Sequence, residues 1–260
     1  MLGAIVGDIV GSVHEFDNHR SKDFPLFQKS SRFTDDTILT IATADALMTD
    51  RDFAAKYRSY GKKYTSSYGA RFSSWIHNDS EGPYNSFGNG SAMRVSPVAW
   101  LYDDESRVLE TAKATAEVTH DHPEGIKGAQ ATAIAIYWAR NGVPRNRIRR
   151  DLETQFGYDT SISVDELQKT YQYNETCQRT VPEAFRCFYE ATDFEDAIRN
   201  AISIGGDSDT LAAITGSIAE AKWGVPTEIR REAWKRMDEE LFNTYQRFNG
   251  VVAKRIWGDL

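Results

Sequence analysis

Apolar residues recur along most of the chain at intervals of three and four positions, which is the spacing of helices with one buried face. The clearest example is a helix from Thr34 to about Met48, whose apolar positions on this period are Ile38, Leu39, Ile41, Ala42 and Leu47. Similar patterns predict further helices at about 52–63, 94–101, 106–119, 125–140, 146–156, 164–171, 182–191, 193–203, 209–223 and 227–247. Because no alternating run with a hairpin turn is present, the sequence predicts one compact all-α domain over residues 1–260.

Two segments interrupt this helical pattern. Residues 17–33 are polar and mixed, which is typical of a surface loop. Residues 64–90 are rich in Ser, Gly, Asn and aromatic residues, and they are too many for a simple connector. This second segment leads into a Gly-rich sequence from Asn85 to Arg94, where backbone N–H groups at a helix start could face a phosphate. A flexible loop is the alternative, since a single Gly-rich loop is a weak signal.

Three glycines recur at every fourth residue within the apolar segment 2–13. Gly3, Gly7 and Gly11 share one face of the predicted helix. Since each glycine weakens a helix, we expect a packing reason, namely the close approach of another helix or of a ligand. Glu15 lies just past this helix, and its carboxylate could point into the region that the glycines approach. Solvation is the commoner fate of a glutamate in such a position.

Two short segments, far apart in the sequence, carry carboxylates and hydroxyls at the start of a predicted helix. They are Thr34-Asp35-Asp36-Thr37 and Gly205-Gly206-Asp207-Ser208-Asp209-Thr210. Either segment alone could be a helix N-cap, which favours the same residue types. Two such segments in one chain are hard to explain by capping alone, because their oxygens are also the ligands of hard cations.

The charge of these segments predicts how many cations they would hold. The aspartates concerned are Asp35, Asp36, Asp207 and Asp209. If they meet in one cleft without counterions, their pKa values rise strongly. Two divalent cations would balance the carboxylates, whereas a single cation would leave about two negative charges. An all-oxygen ligand set favours Mg²⁺ or Mn²⁺ over Zn²⁺ or Cu²⁺.

A second candidate for chemistry is the segment Thr119-His120-Asp121-His122-Pro123. Two histidines beside an aspartate are compatible with a transition metal, but no third or fourth soft ligand is near in sequence. A local hydrogen bond at a helix end is the simpler interpretation of His122. His120 could instead donate a hydrogen bond to an anionic ligand.

Composition and charge narrow the class of protein. Apolar residues make up 40% of the chain and charged residues 27%, which is ordinary for a globular domain. The net charge of −7 argues against a general nucleic-acid or anionic-membrane surface, although a small anionic ligand is still compatible. Cys177 and Cys187 are expected to be reduced thiols. Segment 2–13 contains Asp8, lacks a basic flank and is too short to span a bilayer, so a cytoplasmic location is expected.

Six motifs together resemble the ADP-ribosylglycohydrolase family, the all-helical enzymes typified by the dinitrogenase-reductase-activating glycohydrolase and the ADP-ribosylhydrolases. The motifs are Gly-Ala-Ile-Val-Gly-Asp at 3–8 with Glu15, Phe-Thr-Asp-Asp-Thr at 33–37, Gly-Asn-Gly-Ser-Ala-Met-Arg at 88–94, Thr-His-Asp-His-Pro-Glu-Gly at 119–125, Thr-Val-Pro-Glu-Ala at 180–184 and Gly-Gly-Asp-Ser-Asp-Thr at 205–210. They occur in the family's order and cover nearly the whole chain. The resemblance implies a multi-helix orthogonal bundle.

The resemblance also implies a binuclear Mg²⁺ or Mn²⁺ site. Its ligands would be Thr34, Asp35, Asp36, Asp207, Asp209 and Thr210. Glu15 matches a catalytic or gating carboxylate of the family. Either Glu15 or Asp36 would accept the proton of the attacking water.

The family's substrate pocket maps onto three further parts of the chain. Residues 85–90 match the loop that wraps the diphosphate and adenosine, with Gly88 and Gly90 inside it. Phe87 takes the place of an aromatic residue that stacks on adenine, and Ser86 and Asn89 take the place of polar contacts. His120 matches a histidine near the phosphates, and residues 174–182 would line the remaining wall.

The expected reaction is the hydrolysis of the glycosidic bond between ADP-ribose and a modified protein side chain or small molecule, with release of ADP-ribose. A non-catalytic ADP-ribose or nucleotide binder of the same fold is the alternative, and a phosphohydrolase acting on a nucleotide pyrophosphate is a third possibility. Arginine, serine, an acetyl ester and a nucleic-acid base are all open as acceptors. The segment 119–123 leans slightly towards the arginine type, and loops such as 64–83 are expected to form the acceptor side.

Overall fold

The computed structural model describes residues 1–257, with side chains described as far as Arg255. Its helices are α1 (Leu2–Gly11), α2 (Asp35–Met48), α3 (Phe53–Lys63), α4 (Ala70–His77), α5 (Gly90–Met93), α6 (Ser96–Leu101), α7 (Glu105–Glu117), α8 (Pro123–Arg140), α9 (Arg145–Phe156), α10 (Val164–Thr170), α11 (Cys177–Glu190), α12 (Phe194–Ser203), α13 (Ser208–Trp223), α14 (Thr227–Trp234) and α15 (Glu239–Trp257). Residues 1–257 contain no β-strand, only an isolated bridge between Gly88 and Thr176. The all-α prediction is confirmed.

The centre of the protein is the pair α1 and α13, which form the most extensive helix–helix contact among the described residues. The glycines of α1 make this contact possible. A Cβ atom on Gly7 would lie 2.0 Å from the carbonyl oxygen of Ala212, and one on Gly3 would lie 2.0 Å from that of Gly216. A Cβ atom on Gly11 would lie 2.3 Å from the Cα atom of Asp209. The expectation that another helix approaches the glycine face is confirmed, and α1 therefore ends against the start of α13.

The N-termini of α2 and α13 are directed at the same region. Thr34 is the N-cap of α2, and its hydroxyl accepts a hydrogen bond from the N–H of Asp36. Asp207 is the N-cap of α13 but forms no side-chain capping bond. Both helices are buried over most of their length. In the first acidic segment, capping therefore explains Thr34 but not the aspartates beside it. In the second segment, the carboxylate of Asp207 makes no capping bond and is available for another role.

Two of the predicted boundaries near the Gly-rich loop are wrong. The segment 64–90 is not a continuous loop, because α4 lies within it and buries Phe72, Trp75 and Ile76. These residues have helical i, i+3, i+4 spacing, so the signal was present but was masked by the polar composition around it. The predicted helix 94–101 is α6, which begins at Ser96 and has Pro97 in its first turn, where proline is favoured. The short helix α5 comes before it, within the Gly-rich segment.

Two later predictions also need correction. The helix predicted at 182–191 begins at Cys177, so Pro182 lies inside α11 rather than at its start. The helix predicted at 227–247 is α14 and α15, which are separated at residues 235–238. The reason is Asp238, whose Oδ1 accepts hydrogen bonds from the N–H groups of Glu240 (2.9 Å) and Leu241 (3.2 Å) and starts a new helix.

Cys177 and Cys187 are free, as expected, and both are buried. Among the described residues, none of the helices combines the length and the apolar character needed to cross a bilayer.

Candidate active site

A cleft of about 370 Å³ opens where the loop after α1, the starts of α2 and α13, and the Gly-rich loop come together. One part of its lining is acidic and consists of Glu15, Asp35, Asp36, Asp207 and Asp209, with Thr210. Another part consists of Ser86, Gly88, Asn89, Gly90, Arg94 and His120. The residues singled out in the sequence therefore surround one cleft, apart from Thr34, which lies in the acidic cluster behind it, and Phe87.

The acidic turns at 34–37 and 207–210 meet in space. Two groups of carboxylates have oxygens within 4.8 Å of one another, and they are Asp8, Asp36 and Asp209 in the first and Glu15, Asp207 and Asp209 in the second. Both threonines bridge the turns, since Thr34 Oγ1 lies 3.4 Å from Asp209 Oδ2 and Thr210 Oγ1 lies 3.4 Å from Asp36 Oδ2. Asp209 belongs to both groups and connects them.

Burial and mutual repulsion make these carboxylates costly as bare anions. Burial, followed by the neighbouring charge of Asp8, raises the pKa of Asp36 well above its usual value. Burial and the charge of Asp207 do the same to the pKa of Asp209. At the rim of the cluster, burial and the charge of Asp207 raise the pKa of Glu15 to about 7. A cation bound between the two groups of carboxylates would stabilise their ionised forms and lower their pKa values.

The donor set fits a small hard cation. All the candidate ligand atoms are carboxylate or hydroxyl oxygens, which Mg²⁺ and Mn²⁺ prefer. Asp36 Oδ1 is buried and has no hydrogen-bond partner within residues 1–257. Since buried polar atoms in proteins nearly always have a partner, this oxygen is a candidate ligand. The two groups of carboxylates could therefore each hold a metal ion.

Asp8 is a member of the cluster that our site prediction from the sequence omits. It is fully buried, and its Oδ2 accepts hydrogen bonds from the N–H groups of Thr34 (2.9 Å) and Thr37 (3.1 Å). Its Oδ1 accepts from the hydroxyl of Thr34 at 2.6 Å. Asp8 thereby fixes the start of α2 relative to α1. The available signal was a charged residue in an otherwise apolar, glycine-rich helix, because such a charge needs partners.

Asp35 lies slightly apart from these two groups. Its side chain is partly exposed in the cleft and accepts a hydrogen bond from the Ser66 hydroxyl at 3.1 Å. Burial raises the pKa of Asp35 to about 6. Asp35 belongs to neither group of three carboxylates, so its predicted role as a metal ligand stays a prediction.

The turn that carries Asp207 and Asp209 depends on glycine. Gly205 and Gly206 have φ angles of 69° and 83°, which residues with a Cβ atom rarely adopt. The loop 17–33 holds this turn in place, because Asn18 Oδ1 accepts a hydrogen bond from the N–H of Gly206 at 2.8 Å. Arg20 donates to the carbonyl oxygen of Ile204 at 2.6 Å. The sequence alone gave no reason to connect this polar loop with the site.

The Gly-rich loop is tied to the acidic cluster through Asn89. Its side-chain Nδ2 donates to Asp207 Oδ2 at 2.7 Å and to the hydroxyl of Thr180 at 3.1 Å. Its backbone N–H donates to the carbonyl oxygen of Glu175 at 2.7 Å. Glu175 and Thr180 belong to the segment 174–182, which was expected to line the pocket, and through Asn89 they hold the Gly-rich loop against the start of α13.

Phe87 and His122 form a contact at the outer side of this loop. Phe87 is 45% exposed, and its ring meets that of His122 edge to face at a centroid distance of 5.3 Å. His122 Nδ1 accepts a hydrogen bond from the N–H of Glu124, which caps α8. The interpretation of His122 as a helix-end residue is confirmed. The stacking role of Phe87 stays a prediction.

Comparison with known proteins defines the fold and the family of this protein. The chain matches a solved structure described as an ADP-ribosylglycohydrolase-related protein complex with a TM-score of 0.68 and 22% identity, over 95% of each chain. This likeness establishes the fold alone. The sequence profile of the family described as ADP-ribosylglycohydrolase matches residues 1–258. The chain therefore belongs to the ADP-ribosylglycohydrolase family and is an enzyme of the glycohydrolase class.

Individual named relatives share a low sequence identity with this chain. In an alignment of 325 positions, the chain is 24% identical to ADP-ribosylhydrolase ARH3 of Mus musculus. The alignment covers 94% of this chain and 87% of that protein. It is 25% identical over 288 residues to ADP-ribosylarginine hydrolase Tri1 of Pseudomonas putida (strain GB-1), covering 94% of this chain and 76% of that protein. The finer resemblance to the dinitrogenase-reductase-activating type stays a prediction.

Proposed function

We propose that this protein is a metal-dependent hydrolase that cleaves the glycosidic bond between ADP-ribose and a modified acceptor, releasing ADP-ribose. The observation that carries the proposal is the meeting of two acidic turns, separated by most of the chain, beside a Gly-rich loop in one cleft. Such a combination suits a ligand that joins a sugar to phosphate groups.

Two divalent cations, Mg²⁺ or Mn²⁺, are proposed to bind between the acidic turns. The proposed ligands are Thr34, Asp35, Asp36, Asp207, Asp209 and Thr210, and Asp8 is well placed to support or join them. When bound, these cations would supply Lewis acidity and a fixed template for the hydroxyls of a ribose.

The protein's own groups are proposed to position the sugar and move a proton. Glu15 is half-buried at the edge of the acidic cluster, which leaves its carboxylate accessible from the cleft. Asp36 lies deeper, with one oxygen that has no partner in the described chain. Either carboxylate can accept the proton of a water that attacks an oxocarbenium-like sugar carbon. The Gly-rich loop, with Ser86 and Asn89, is proposed to hold the diphosphate.

For the acceptor, we favour an arginine side chain over the alternatives. Glu15 and Glu175 line the cleft together with Tyr173, whose hydroxyl donates to Glu175 Oε1 at 2.8 Å. Carboxylates beside an aromatic ring attract a planar guanidinium group. The name of the Pseudomonas relative, an ADP-ribosylarginine hydrolase, points to the same acceptor.

The test is a product assay on defined substrates. We expect the protein with Mg²⁺ or Mn²⁺ to release ADP-ribose from mono-ADP-ribosylated protein, with arginine-linked substrate turned over faster than serine- or acetyl-linked substrate. A chelator should abolish the release, and excess Mg²⁺ should restore it. Tight ADP-ribose binding without turnover of any substrate would instead identify a non-catalytic binder, and AMP among the products would identify a phosphohydrolase.

A further inference from the structure

His120 is held by a chain of hydrogen bonds that the resemblance does not explain. The residue is buried, with only 5% of its surface exposed. Its Nδ1 lies 2.7 Å from the hydroxyl oxygen of Thr119. The same oxygen accepts a hydrogen bond from Arg94 Nη2 at 2.8 Å, and Nη2 also donates to the carbonyl oxygen of Thr115 at 3.0 Å.

The direction of this chain is determined at its arginine end. A guanidinium group has only donors and stays protonated. Arg94 can only donate to Thr119 Oγ1, so the buried hydroxyl proton of Thr119 still needs an acceptor of its own. Among the described residues, the one acceptor that pairs with this hydroxyl is His120 Nδ1, at 2.7 Å. Nδ1 is then an acceptor, and the proton of the neutral ring is on Nε2.

The Nε2 atom faces the Gly-rich loop. A Cβ atom on Gly90 would lie 3.2 Å from Nε2, and one on Gly88 would lie 3.5 Å from it. Glycine at both positions therefore keeps space open in front of this nitrogen. Among the described side chains, the His120 ring is hydrogen-bonded through Nδ1 and not through Nε2, and the residue lines the cleft. A nearly buried donor without a protein partner is thus directed at the ligand space.

We propose that Arg94 and Thr119 are positioning residues that fix His120 in the Nε2–H tautomer, so that it donates a hydrogen bond to a phosphate oxygen of the ligand beside Gly88 and Gly90. The use of this donor on an ADP-ribosyl group rests on the proposed function. The tautomer itself does not depend on that function, so the two parts can fail separately.

The surroundings of Arg94 agree with this role. Arg94 is fully buried, its guanidinium lies over the ring of Tyr57 at 4.2 Å, and its Nε and Nη1 form no hydrogen bond within residues 1–257. A buried charge with so few partners is expensive, which indicates a purpose beyond packing. Burial and the nearby Arg94 charge also lower the pKa of His120 well below its usual value, which keeps the ring neutral.

The tautomer can be read directly from the nitrogen chemical shifts of ¹⁵N-labelled protein at neutral pH, with the His120 signals assigned by their loss in His120→Gln. We expect the wild type to show a neutral ring with the proton on Nε2. Thr119→Val should raise the fraction with the proton on Nδ1, whereas Thr119→Ser, which keeps the hydroxyl, should preserve the wild-type pattern. A wild-type ring that is protonated on Nδ1, alone or in the imidazolium form, would overturn the proposal even if Thr119→Val does not fold.

Calorimetry with ADP-ribose tests the use of the donor. We expect Thr119→Val to weaken binding roughly tenfold, as for the loss of one charge-assisted hydrogen bond, and Thr119→Ser to stay within about twofold of wild type. Equal affinities of the wild type and Thr119→Val would show that Nε2 does not contact the ligand, and would overturn the proposed hydrogen bond to the phosphate. If the wild type has the Nε2–H tautomer but binds no ADP-ribose, the proposed function fails while the tautomer assignment stands.

Discussion

Replacing Asp36 or Asp209 by asparagine is expected to lower kcat for ADP-ribose release by at least about a thousandfold, equivalent to roughly 4 kcal/mol. Asparagine has nearly the same shape as aspartate but removes one negative charge from the cluster. Asp209 belongs to both groups of carboxylates and Asp36 to one, so Asp209→Asn should be the more damaging change. Steady-state kinetics at saturating Mg²⁺, together with thermal unfolding, would separate a loss of activity from a loss of stability.

The control for this prediction is Asp165→Asn, which removes one carboxylate from the exposed first turn of α10. Asp165 lines no part of the cleft, so its variant should keep wild-type kcat within about twofold, as surface changes usually do. Near-normal turnover in Asp36→Asn and Asp209→Asn would remove the acidic cluster from the reaction.

Replacing Gly7 by valine is expected to destabilise the protein by about 3 kcal/mol or to prevent folding. The Cβ atom alone would lie 2.0 Å from the carbonyl oxygen of Ala212, and a backbone atom cannot avoid it by changing a rotamer. If the protein folds, α1 must move away from α13. That movement would separate Asp8 from Asp209, so kcat should fall together with the free energy of unfolding.

A matched control is Gly250→Ala in α15. A Cβ atom at this position meets no other atom within 4 Å. Because alanine is the better helix former, this variant should gain roughly 0.5–1 kcal/mol of stability and keep full activity. Urea unfolding gives both free energies. A Gly7→Val protein as stable as wild type would contradict the packing that we describe between α1 and α13.

Much of the fold could be predicted from local patterns. The helices after Thr34 and after Asp209 were recognisable because they are apolar on nearly every face, as expected for central helices that bury most of their residues. The glycine face of α1 predicted a close neighbour for a physical reason, since three unfavourable residues in one helix require compensation. The boundaries near Pro97 and Asp238 were harder to predict. There, a helix begins with a proline in its first turn or with a capping aspartate, and the apolar pattern around it does not show the boundary.

The site was only partly accessible from the sequence. The acidic turns were visible because their residues are adjacent in the chain, and charge balance gave a reason for them to meet. Asp8 was missed because its partners, Thr34 and Thr37, are distant in sequence and become neighbours only after α1 and α2 pack. The hydrogen bonds between Asn18 and Gly206 could not be predicted for the same reason. Tertiary contacts made by single polar residues produce no periodic pattern in the sequence.

The most direct test of the account is a calorimetric titration of the protein with Mn²⁺ at neutral pH. The account predicts two ions per chain for the wild type, the loss of one ion in Asp36→Asn, and weaker binding of both in Asp209→Asn, since only Asp209 is shared by the two groups. Asp165→Asn should bind like the wild type. A wild-type protein that binds no Mn²⁺ and no Mg²⁺, or binding that both cluster variants leave unchanged, would contradict it.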